Sequence, residues 1–312
     1  LIDGLKKLTA RPFSPGDFLM ALEDGGVNVR KNYKKIVSAL LSFASETECG
    51  AIHEGYWVDH WLYNLDLIDN FLMVYPDKLE EFLIREKTYY FYDNPDIIRP
   101  NTEKYVLSGG NVRRYGAVFR SPEKQKLINS RSSNATRMRT KYGKGKIYYT
   151  HFLSKMLCMT VNRLATFDPF GVGIEMEADK PGWNDSMNGL PGIAGSSLCQ
   201  TIELEKALLF LRDSLPGLKV KSVKVYEELY HFIKALEKTI DKKLKSRGAA
   251  KDLAYWRESA LIKEKYRKQT AFGVSGKEKE LPIAELRKFV DKSLKLTRGV
   301  FAKKIFKNGV PY

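Results

Sequence analysis

The sequence predicts an all-α fold, and three observations point to it. Apolar residues recur at intervals of three and four in most segments, which is the spacing of amphipathic helices. Alternating, strand-like patterns are short and confined to residues 96–145. Helix-capping residues and prolines mark the ends of several segments. Because 312 residues also suffice for a sizeable core, we expect an array of long helices with functional loops between them.

The predicted helices follow the chain in order. Apolar stripes predict helices first at residues 14–23, 31–48, 65–74 and 77–86. Pro76 closes the third of these and opens the fourth. The same spacing predicts later helices at residues 149–166, 196–215, 220–247, 252–268 and 283–296. Either Ser196 or Ser197 is expected to cap the helix that begins there.

Residues 96–145 interrupt this pattern and are expected to form an irregular insertion. Strand-like pieces at residues 104–107 and 115–119 surround the turn 108–111, which predicts a small hairpin. Basic residues follow, and two interpretations are open: they line a substrate or phosphate entrance, or they belong to a surface loop. These residues are Arg131, Arg137, Arg139, Lys141, Lys144 and Lys146.

The chain carries a formal net charge of +16 and has a pI near 9.5. Acidic residues are interleaved with the basic ones, which favours solvated helix faces over a nucleic-acid groove. Neither a nucleic acid nor a membrane is expected as a partner, since no apolar run approaches the roughly 18 residues of a span. Cys49, Cys158 and Cys199 form no C-x-x-C pair, which suits a reducing, cytoplasmic compartment.

One segment, residues 175–195, is unsuited to a helix or a strand because Pro181, Pro191 and several glycines break both. Within this loop Asp185 follows Trp183 by two residues. An indole face packs on a pyranose ring, and an acid beside it can protonate a glycosidic oxygen. The alternative is that Asp185 only caps a turn, as Asp often does.

Two stretches resemble a known family. Trp183-Asn184-Asp185-Ser186-Met187-Asn188 resembles the W-N-D-x-x-N signature of inverting glycoside phosphorylases of the cellobiose and chitobiose phosphorylase kind. The wider string, from Lys180 to Ser197, is more similar to β-1,3-oligoglucan phosphorylases. Upstream, residues 53–66 resemble the segment of that family that carries an aspartate binding the donor sugar. Together the two stretches are more specific than either alone.

The resemblance implies a fold, a reaction and site residues. The fold would be an (α/α)6 barrel, incomplete here, because the chain begins at Leu1 and is expected to be a piece of a longer polypeptide. Asp185 would be the general acid and inorganic phosphate the nucleophile, with no cofactor and no metal. The partners would be an oligosaccharide and phosphate, with a homodimer left open. The implied substrate-binding residues are Asp59, Trp183, Asn184, Asn188, Trp57, Trp61 and His53.

The departures from the family are specific. Pro181 and Gly182 precede Trp183, where cellobiose phosphorylases carry an acidic residue, so cellobiose is not the expected substrate. A β-1,3-linked glucan is expected instead. No cluster equivalent to the family's phosphate-gripping residues is found downstream of Asp185.

Other functions stay open at this point. An inverting glucan hydrolase would need a second carboxylate to activate water, and Glu175, Glu177 and Asp179 are candidates. A non-catalytic carbohydrate-binding or scaffold segment would not need Asp185 at all. His60 and His151 could donate to phosphate or sugar, although a lone histidine is more often structural.

Overall fold

A computed structural model describes residues 1–44, 58–114, 116–175, 196–248, 250–304, 306–307 and 310–311. Helices account for 60% and strands for 13% of this part of the chain, so the predicted predominantly α class is confirmed. The chain divides into two compact units, Leu1–His53 and Glu54–Tyr312. Closure of the helices into an (α/α)6 barrel stays a prediction.

The described part of the first unit, residues 1–44, contains three short helices, α1 (Ile2–Thr9), α2 (Pro15–Asp24) and α3 (Tyr33–Phe43). A capping box begins α2: the Ser14 hydroxyl accepts a hydrogen bond from the Asp17 amide, and the Asp17 carboxylate accepts one from the Ser14 amide. Proline at the first helical position fits the same start. The predicted helix 14–23 is therefore present and is specified by local chemistry.

The described part of the second unit contains the longer helices and two short ones. They are α4 (Val58–Val74), α5 (Asn101–Lys104), α6 (Pro122–Asn129), α7 (Phe152–Leu164), α8 (Leu198–Ser214), α9 (Glu227–Lys245), α10 (Ala250–Thr270) and α11 (Ile283–Lys304). Short 3-10 turns at Pro76–Lys78 and Leu215–Gly217 and a π-turn at Glu81–Arg85 follow α4 and α8. The turns Pro76–Lys78 and Glu81–Arg85 take the place of the regular helix predicted at residues 77–86.

Within the described ranges the strands form six two-stranded antiparallel sheets. Their bounds are β1 (Tyr89–Tyr90), β2 (Asp96–Ile98), β3 (Tyr105–Ser108), β4 (Asn111–Arg114), β5 (Val118–Arg120), β6 (Tyr149–Thr150), β7 (Ile174–Glu175), β8 (Ser196–Ser197), β9 (Ser222–Tyr226), β10 (Glu278–Pro282), β11 (Phe306–Lys307) and β12 (Val310–Pro311). The pairs are β1 with β6, β2 with β5, β3 with β4, β7 with β8, β9 with β10 and β11 with β12.

The insertion is more ordered than its sequence suggests. The hairpin predicted around residues 108–111 is present as β3 and β4. The piece predicted at 115–119 does not pair within that hairpin as expected, because β5 pairs with β2 instead. Buried Met138 and Tyr148 then anchor the segment that follows to the main core.

The predicted helix at 220–247 is wrong at its beginning, because residues Ser222–Tyr226 form strand β9 and pair with β10. Val223 and Val225 are buried whereas Lys224 is exposed, which is the two-residue period of a half-buried strand. The long apolar stripe of α9 follows directly. In the sequence the short alternation of β9 is therefore easily mistaken for the first turn of that helix. The sequence predicts no strand at Glu278–Pro282, where β10 lies.

Successive long helices run in alternating directions. The end of α7 meets the start of α8, where Arg163 Nη1 donates to Gln200 Oε1 at 2.5 Å. The start of α10 lies beside the end of α7, because Tyr255 Oη donates to the Leu164 carbonyl at 2.9 Å. α7 is therefore antiparallel to both α8 and α10.

The same holds for the next pair. Lys243 and Asp252 form an ion pair at 2.8 Å where α9 ends and α10 begins. The Tyr226 and Tyr266 hydroxyls lie 2.6 Å apart at the opposite ends of these helices. α9 and α10 are therefore antiparallel as well. The ends of α7 and α9 and the starts of α8 and α10 thus lie at one end of the unit. We call it the loop end, because residues 176–195 connect there, and the other the far end.

The core lies between these helices. α11 contributes Leu286, Phe289, Val290 and Leu294, which recur at helical spacing and are nearly inaccessible. α7 buries apolar residues on more than one face, because the π-turn Glu81–Arg85, α8 and α9 surround it. This core holds the helix ends in place and therefore fixes the stems of the loop that the sequence predicts to be catalytic.

Candidate functional site

The two ends of the segment 176–195 are joined by a short antiparallel pair. Ile174 faces Ser197 and Glu175 faces Ser196 in the β7–β8 register. A bridge between Phe167 and Ile174 adds a third chain segment to this pair. Although some twenty residues separate the two strands in the sequence, the strands are adjacent in space. We call the arrangement of β7, β8 and the bridged segment at Phe167 the neck.

Side chains of the first turn of α8 fix the neck to that helix. The Ile174 amide donates to Thr201 Oγ1 at 3.0 Å, and the same hydroxyl donates to the Ser197 carbonyl at 2.8 Å. Ser197 itself caps α8 by accepting from the Gln200 amide at 3.2 Å. Of the two caps that the sequence allows, Ser197 is the one used. Strand and helix start are therefore one rigid piece.

Behind the neck lies a buried carboxylate. Glu175 is 7% exposed and its Oε2 accepts from the indole Nε1 of Trp256, on α10, at 3.1 Å. The carboxylate of Glu175 thus orients an aromatic side chain one helical turn from Asp252. The sequence makes Glu175 a candidate base for water activation, but in this position its carboxylate is engaged with the structural framework.

A buried lysine completes the framework behind the neck. Lys263 is 3% exposed and its Nζ donates to Thr166 Oγ1 at 3.1 Å. The Thr166 carbonyl in turn accepts from the Glu175 amide at 2.8 Å. Lys263 and Trp256 are two helical turns apart on α10, so one face of that helix supports the neck along its length.

Helix α4 begins at the same end of the unit as α8. Near the middle of both helices Lys206 forms an ion pair with Asp66. Beyond their carboxyl ends, the Lys219 amide donates to Glu80 Oε2 at 2.6 Å. The middle of α4 thus contacts the middle of α8, and the segment after α4 contacts the segment after α8. The two helices therefore run in the same direction, and both begin at the loop end.

The start of α4 carries two of the predicted site residues, Asp59 and Trp61. Asp59 precedes Asp66 by seven residues, or about two turns of α4. At 1.5 Å per residue, Asp59 lies about 10 Å along the helix from the ion pair, and the first residue of α8 lies about 12 Å along its own helix. The backbone of Asp59 is therefore level with the point where the loop rejoins the fold.

The other predicted site residues lie outside the described part of the chain. They are His53, Trp57, Trp183, Asn184, Asp185 and Asn188. Two of the predicted alternative bases, Glu177 and Asp179, lie outside it as well. The structure does show that the starts of α4 and α8 lie at the same end of the unit. The segments that carry the two motifs are connected to the fold there.

A further carboxylate between α4 and α8 is not singled out by the sequence. Glu203 is half-buried on α8, and its Oε2 is inaccessible and has no hydrogen-bond partner within the described residues. Burial raises the pKa of this carboxyl, and Lys206 opposes that shift. Glu203 lies on the same side of α8 as the Lys206–Asp66 ion pair, between the start of α8 and the helix middle.

The basic insertion lies at the far end. Lys141 and Tyr142 donate their amides to the carbonyls of Ser275 and Val274, which follow the end of α10. From there to Trp256 at the neck is about 20 Å along that helix. The turn 140–145 therefore packs beyond the end of α10, away from the neck, and the interpretation that the basic residues line a substrate or phosphate entrance stays a prediction.

Two of the arginines in this insertion have structural partners. The Arg131 guanidinium is 4% exposed and pairs with Asp93 at 2.8 Å. The Arg137 guanidinium lies over the Tyr90 ring, 4.2 Å from its centroid, and donates to Tyr149 Oη at 3.1 Å.

His151 also lies at the far end, at the start of α7. Its Nδ1 accepts from the Ser154 amide at 3.1 Å, so it caps the helix, and its Nε2 donates to the Lys224 carbonyl at 2.8 Å. Burial lowers the pKa of the imidazole. Both ring nitrogens are occupied, so the suggestion that His151 binds phosphate or sugar is wrong and its role is structural.

No family model matches this chain, and no curated protein is similar to it at a significant level. In the described part of the chain, no group of three or more His, Cys, Asp or Glu residues could hold a metal ion. Among the same residues, no helix is both long and apolar enough to cross a membrane. Cys158 and Cys199 are free thiols.

Proposed function

We propose that this chain carries the catalytic region of an inverting glycoside phosphorylase. The substrate would be a β-glucan oligosaccharide, β-1,3-linked, and the product α-glucose 1-phosphate. Asp185 would be the general acid, and the helices would belong to an (α/α)6 barrel whose site loops lie at one mouth. The supporting observation is that α4 and α8 begin at the same end of the helix pair, where the segments bearing the two motifs attach.

Two groups carry the proposed reaction: phosphate as the nucleophile and Asp185 as the general acid. A phosphate oxygen attacks the anomeric carbon from the face opposite the glycosidic bond while that bond breaks. Asp185 donates its proton to the departing oxygen, and the β-linkage becomes an α-phosphate. Asp59 would hold hydroxyls of the glucosyl unit, and Trp183, Trp57 and Trp61 would supply stacking faces. Asn184, Asn188 and His53 would donate to the sugar or to phosphate, with no further cofactor.

The acid must remain protonated near neutral pH, which requires desolvation or a nearby like charge. The neck supplies a rigid base for such a site, because it is held by Thr201, by Ser197 and by the buried framework around Glu175. Functional side chains on a loop are effective when rigid elements position the stems of that loop. Glu175, whose carboxylate is engaged with Trp256, therefore suits a supporting role better than a role as a second catalytic base.

The test is release of α-glucose 1-phosphate from β-1,3-gluco-oligosaccharides by the full-length protein, with and without inorganic phosphate. Asp185→Asn should reduce the rate by at least about 1,000-fold, roughly the contribution expected of a positioned acid and its geometry. Asp77→Asn, an exposed aspartate beside the turn after α4, is the matched control and should retain activity. Glucose release without phosphate would identify a hydrolase, and binding without turnover would identify a carbohydrate-binding segment.

A further inference from the structure

Three short chain segments run side by side at the far end, and the last of them ends just before α7. Backbone pairing joins Tyr90 to Tyr149 and Tyr92 to Arg137. Side chains of successive residues in such extended segments point to opposite faces, so the arrangement has an inner and an outer face. The segments are residues 89–93, 136–140 and 146–150.

The inner face is part of the main core. Met138 and Tyr148 are buried there, and Phe91 packs against the same core. The rings of Phe91 and Tyr148 both meet the Tyr226 ring edge-on, with centroids 5.6 and 5.7 Å away. The backbone that carries the outer face is therefore fixed to the body of the unit.

The outer face consists of Tyr90, Tyr92, Arg137 and Tyr149, and we call it the tyrosine face. Tyr92 is 41% and Tyr149 40% exposed, and Tyr90 is half-buried. The Arg137 guanidinium lies over the Tyr90 ring and also donates to Tyr149 Oη. The Tyr90 and Tyr149 rings meet edge-on with centroids 6.3 Å apart. These contacts hold the side chains in place, which lowers the entropy that a ligand would have to overcome.

The tyrosine face presents rings and hydroxyls instead of free charge. The guanidinium of Arg137 is engaged by two tyrosines, and Lys155 Nζ donates to the Tyr90 carbonyl at 2.6 Å. Lys146 is exposed, but it is three residues from Tyr149 and so alternates to the other face. These features suit a neutral ligand that is rich in hydroxyl groups better than a polyanion.

We propose that the tyrosine face is a second carbohydrate-binding site, which holds a β-glucan chain away from the site of the proposed reaction. The choice of β-glucan rests on the proposed function. A tyrosine ring packs against the apolar C–H groups of a pyranose, while its hydroxyl and the guanidinium N–H groups bond sugar hydroxyls. The loop end lies about 20 Å away along α7, so both sites can be occupied at once.

Isothermal titration of the full-length protein with soluble β-1,3-glucan, in the absence of phosphate, tests this site. Tyr149→Ala and Tyr92→Ala each remove an exposed ring and should weaken binding on the order of tenfold. Tyr149→Phe keeps the ring and loses only the hydroxyl, so its affinity should stay within about threefold of wild type. Tyr33→Ala is the matched control, because Tyr33 is 49% exposed and lies on α3 in the first unit.

Two further measurements separate loss of binding from loss of fold. The melting temperature of each variant should stay within about 3 °C of wild type. For phosphorolysis of a β-1,3-linked trisaccharide, kcat and KM should stay within about twofold of wild type, because the tyrosine face is remote from the proposed reaction.

Unchanged glucan affinity in both Tyr149→Ala and Tyr92→Ala would overturn the proposal, and so would an equal loss in Tyr149→Phe and Tyr149→Ala. Binding of a single-stranded oligonucleotide in place of glucan, with an affinity that falls steeply with salt, would overturn it in favour of a polyanion site.

The trisaccharide assay decides the proposed function separately. If wild type binds glucan through these tyrosines but shows no phosphorolysis, the proposed function fails and the second site stands. If phosphorolysis occurs and the tyrosine variants bind glucan like wild type, the second site fails and the proposed function stands.

Discussion

Gly273 is a residue at which two backbone segments approach too closely for any side chain. Its φ is +130°, and a Cβ built there would lie 2.4 Å from the Arg139 carbonyl oxygen and 2.7 Å from the Gly143 amide nitrogen. Real Cβ atoms do not make contacts this short with backbone, so the insertion can pack on the segment after α10 only if this residue is glycine.

Gly273→Ala should lower the free energy of unfolding by about 2–5 kcal/mol, combining backbone strain with overpacking. Urea denaturation measures this loss. Gly248→Ala is the control, because Gly248 also has a positive φ, +89°, but a Cβ added there would meet no atom within 4 Å; about 1 kcal/mol is expected there. Equal losses in the two variants would contradict the close approach at Gly273.

His151 gives the fold a dependence on pH. Because burial lowers its pKa in the folded protein, the neutral imidazole is favoured by folding, and stability falls as pH drops below the unfolded value of 6.5. His151→Asn should keep the cap on the Ser154 amide but cannot titrate. Between about pH 7.5 and about pH 5.5 the melting temperature of wild type should therefore fall more than that of the variant. Parallel curves would show that protonation of His151 is not linked to unfolding.

The anchors of the candidate site could be predicted only in part from residue patterns. Asp168-Pro169-Phe170-Gly171 is a turn signal that the sequence displays. Its partner Ser196 is 28 residues away, and the indole that bonds Glu175 is 81 residues away. No local spacing connects positions so distant, because the contacts depend on how α7, α8 and α10 pack.

At the scale of elements, an ion-paired cluster holds α6 to the start of the insertion. Asp93 is 3% exposed and accepts from Lys124 of α6 at 2.8 Å and from Arg131 just beyond that helix at 2.8 Å. One carboxylate thus balances two cations whose side chains are 10% and 4% exposed. Both cations would be left buried without their counter-charge if Asp93 were removed.

Asp93→Ala should therefore lower the free energy of unfolding by about 3–5 kcal/mol. The control is Asp96→Ala, since the Arg120 partner of Asp96 is 63% exposed and such surface pairs contribute at most about 1 kcal/mol. Chemical denaturation monitored by circular dichroism compares them. If both variants lost the same small amount, the cluster would have no more influence than a surface ion pair.

Helices were more predictable than strands for a physical reason. The helix 196–215 has its cap and its apolar stripe within one continuous segment, and α8 matches that prediction closely. β9 depends on β10, whose paired residues lie more than fifty positions away in the chain. A five-residue strand next to a nineteen-residue amphipathic helix has only a weak sequence pattern of its own. The sequence of β10 does not indicate a strand, and β10 forms only when the folded chain brings it to β9.

For the molecule as a whole, the alternation of the helices separates two ends with different tasks. The neck, the start of α4 and the junction of α9 with α10 lie at the loop end. The insertion, the β9–β10 pair and His151 lie at the far end. The two ends are about 20 Å apart along α7 and about 30 Å apart along α10. Substitutions at the far end should therefore affect stability without affecting the proposed reaction.

Combined Lys141→Ala, Lys144→Ala and Lys146→Ala substitutions test this separation. All three lysines are exposed at the far end, so the KM for phosphate should remain within about twofold of wild type, because screening removes their influence over roughly two Debye lengths. Initial rates at varied phosphate concentration give the answer. A rise in KM of about tenfold would instead place phosphate near the insertion.

The antiparallel stems have a consequence for engineering. Paired strands bring Glu175 and Ser196 to within about 5 Å of each other. A two-residue turn is therefore long enough to join the two stems. Excising residues 176–195 and joining the stems with Asn-Gly should leave a folded protein that melts cooperatively and lacks activity. Segments of other sequence grafted between the same two stems would then show whether the proposed activity belongs to this stretch.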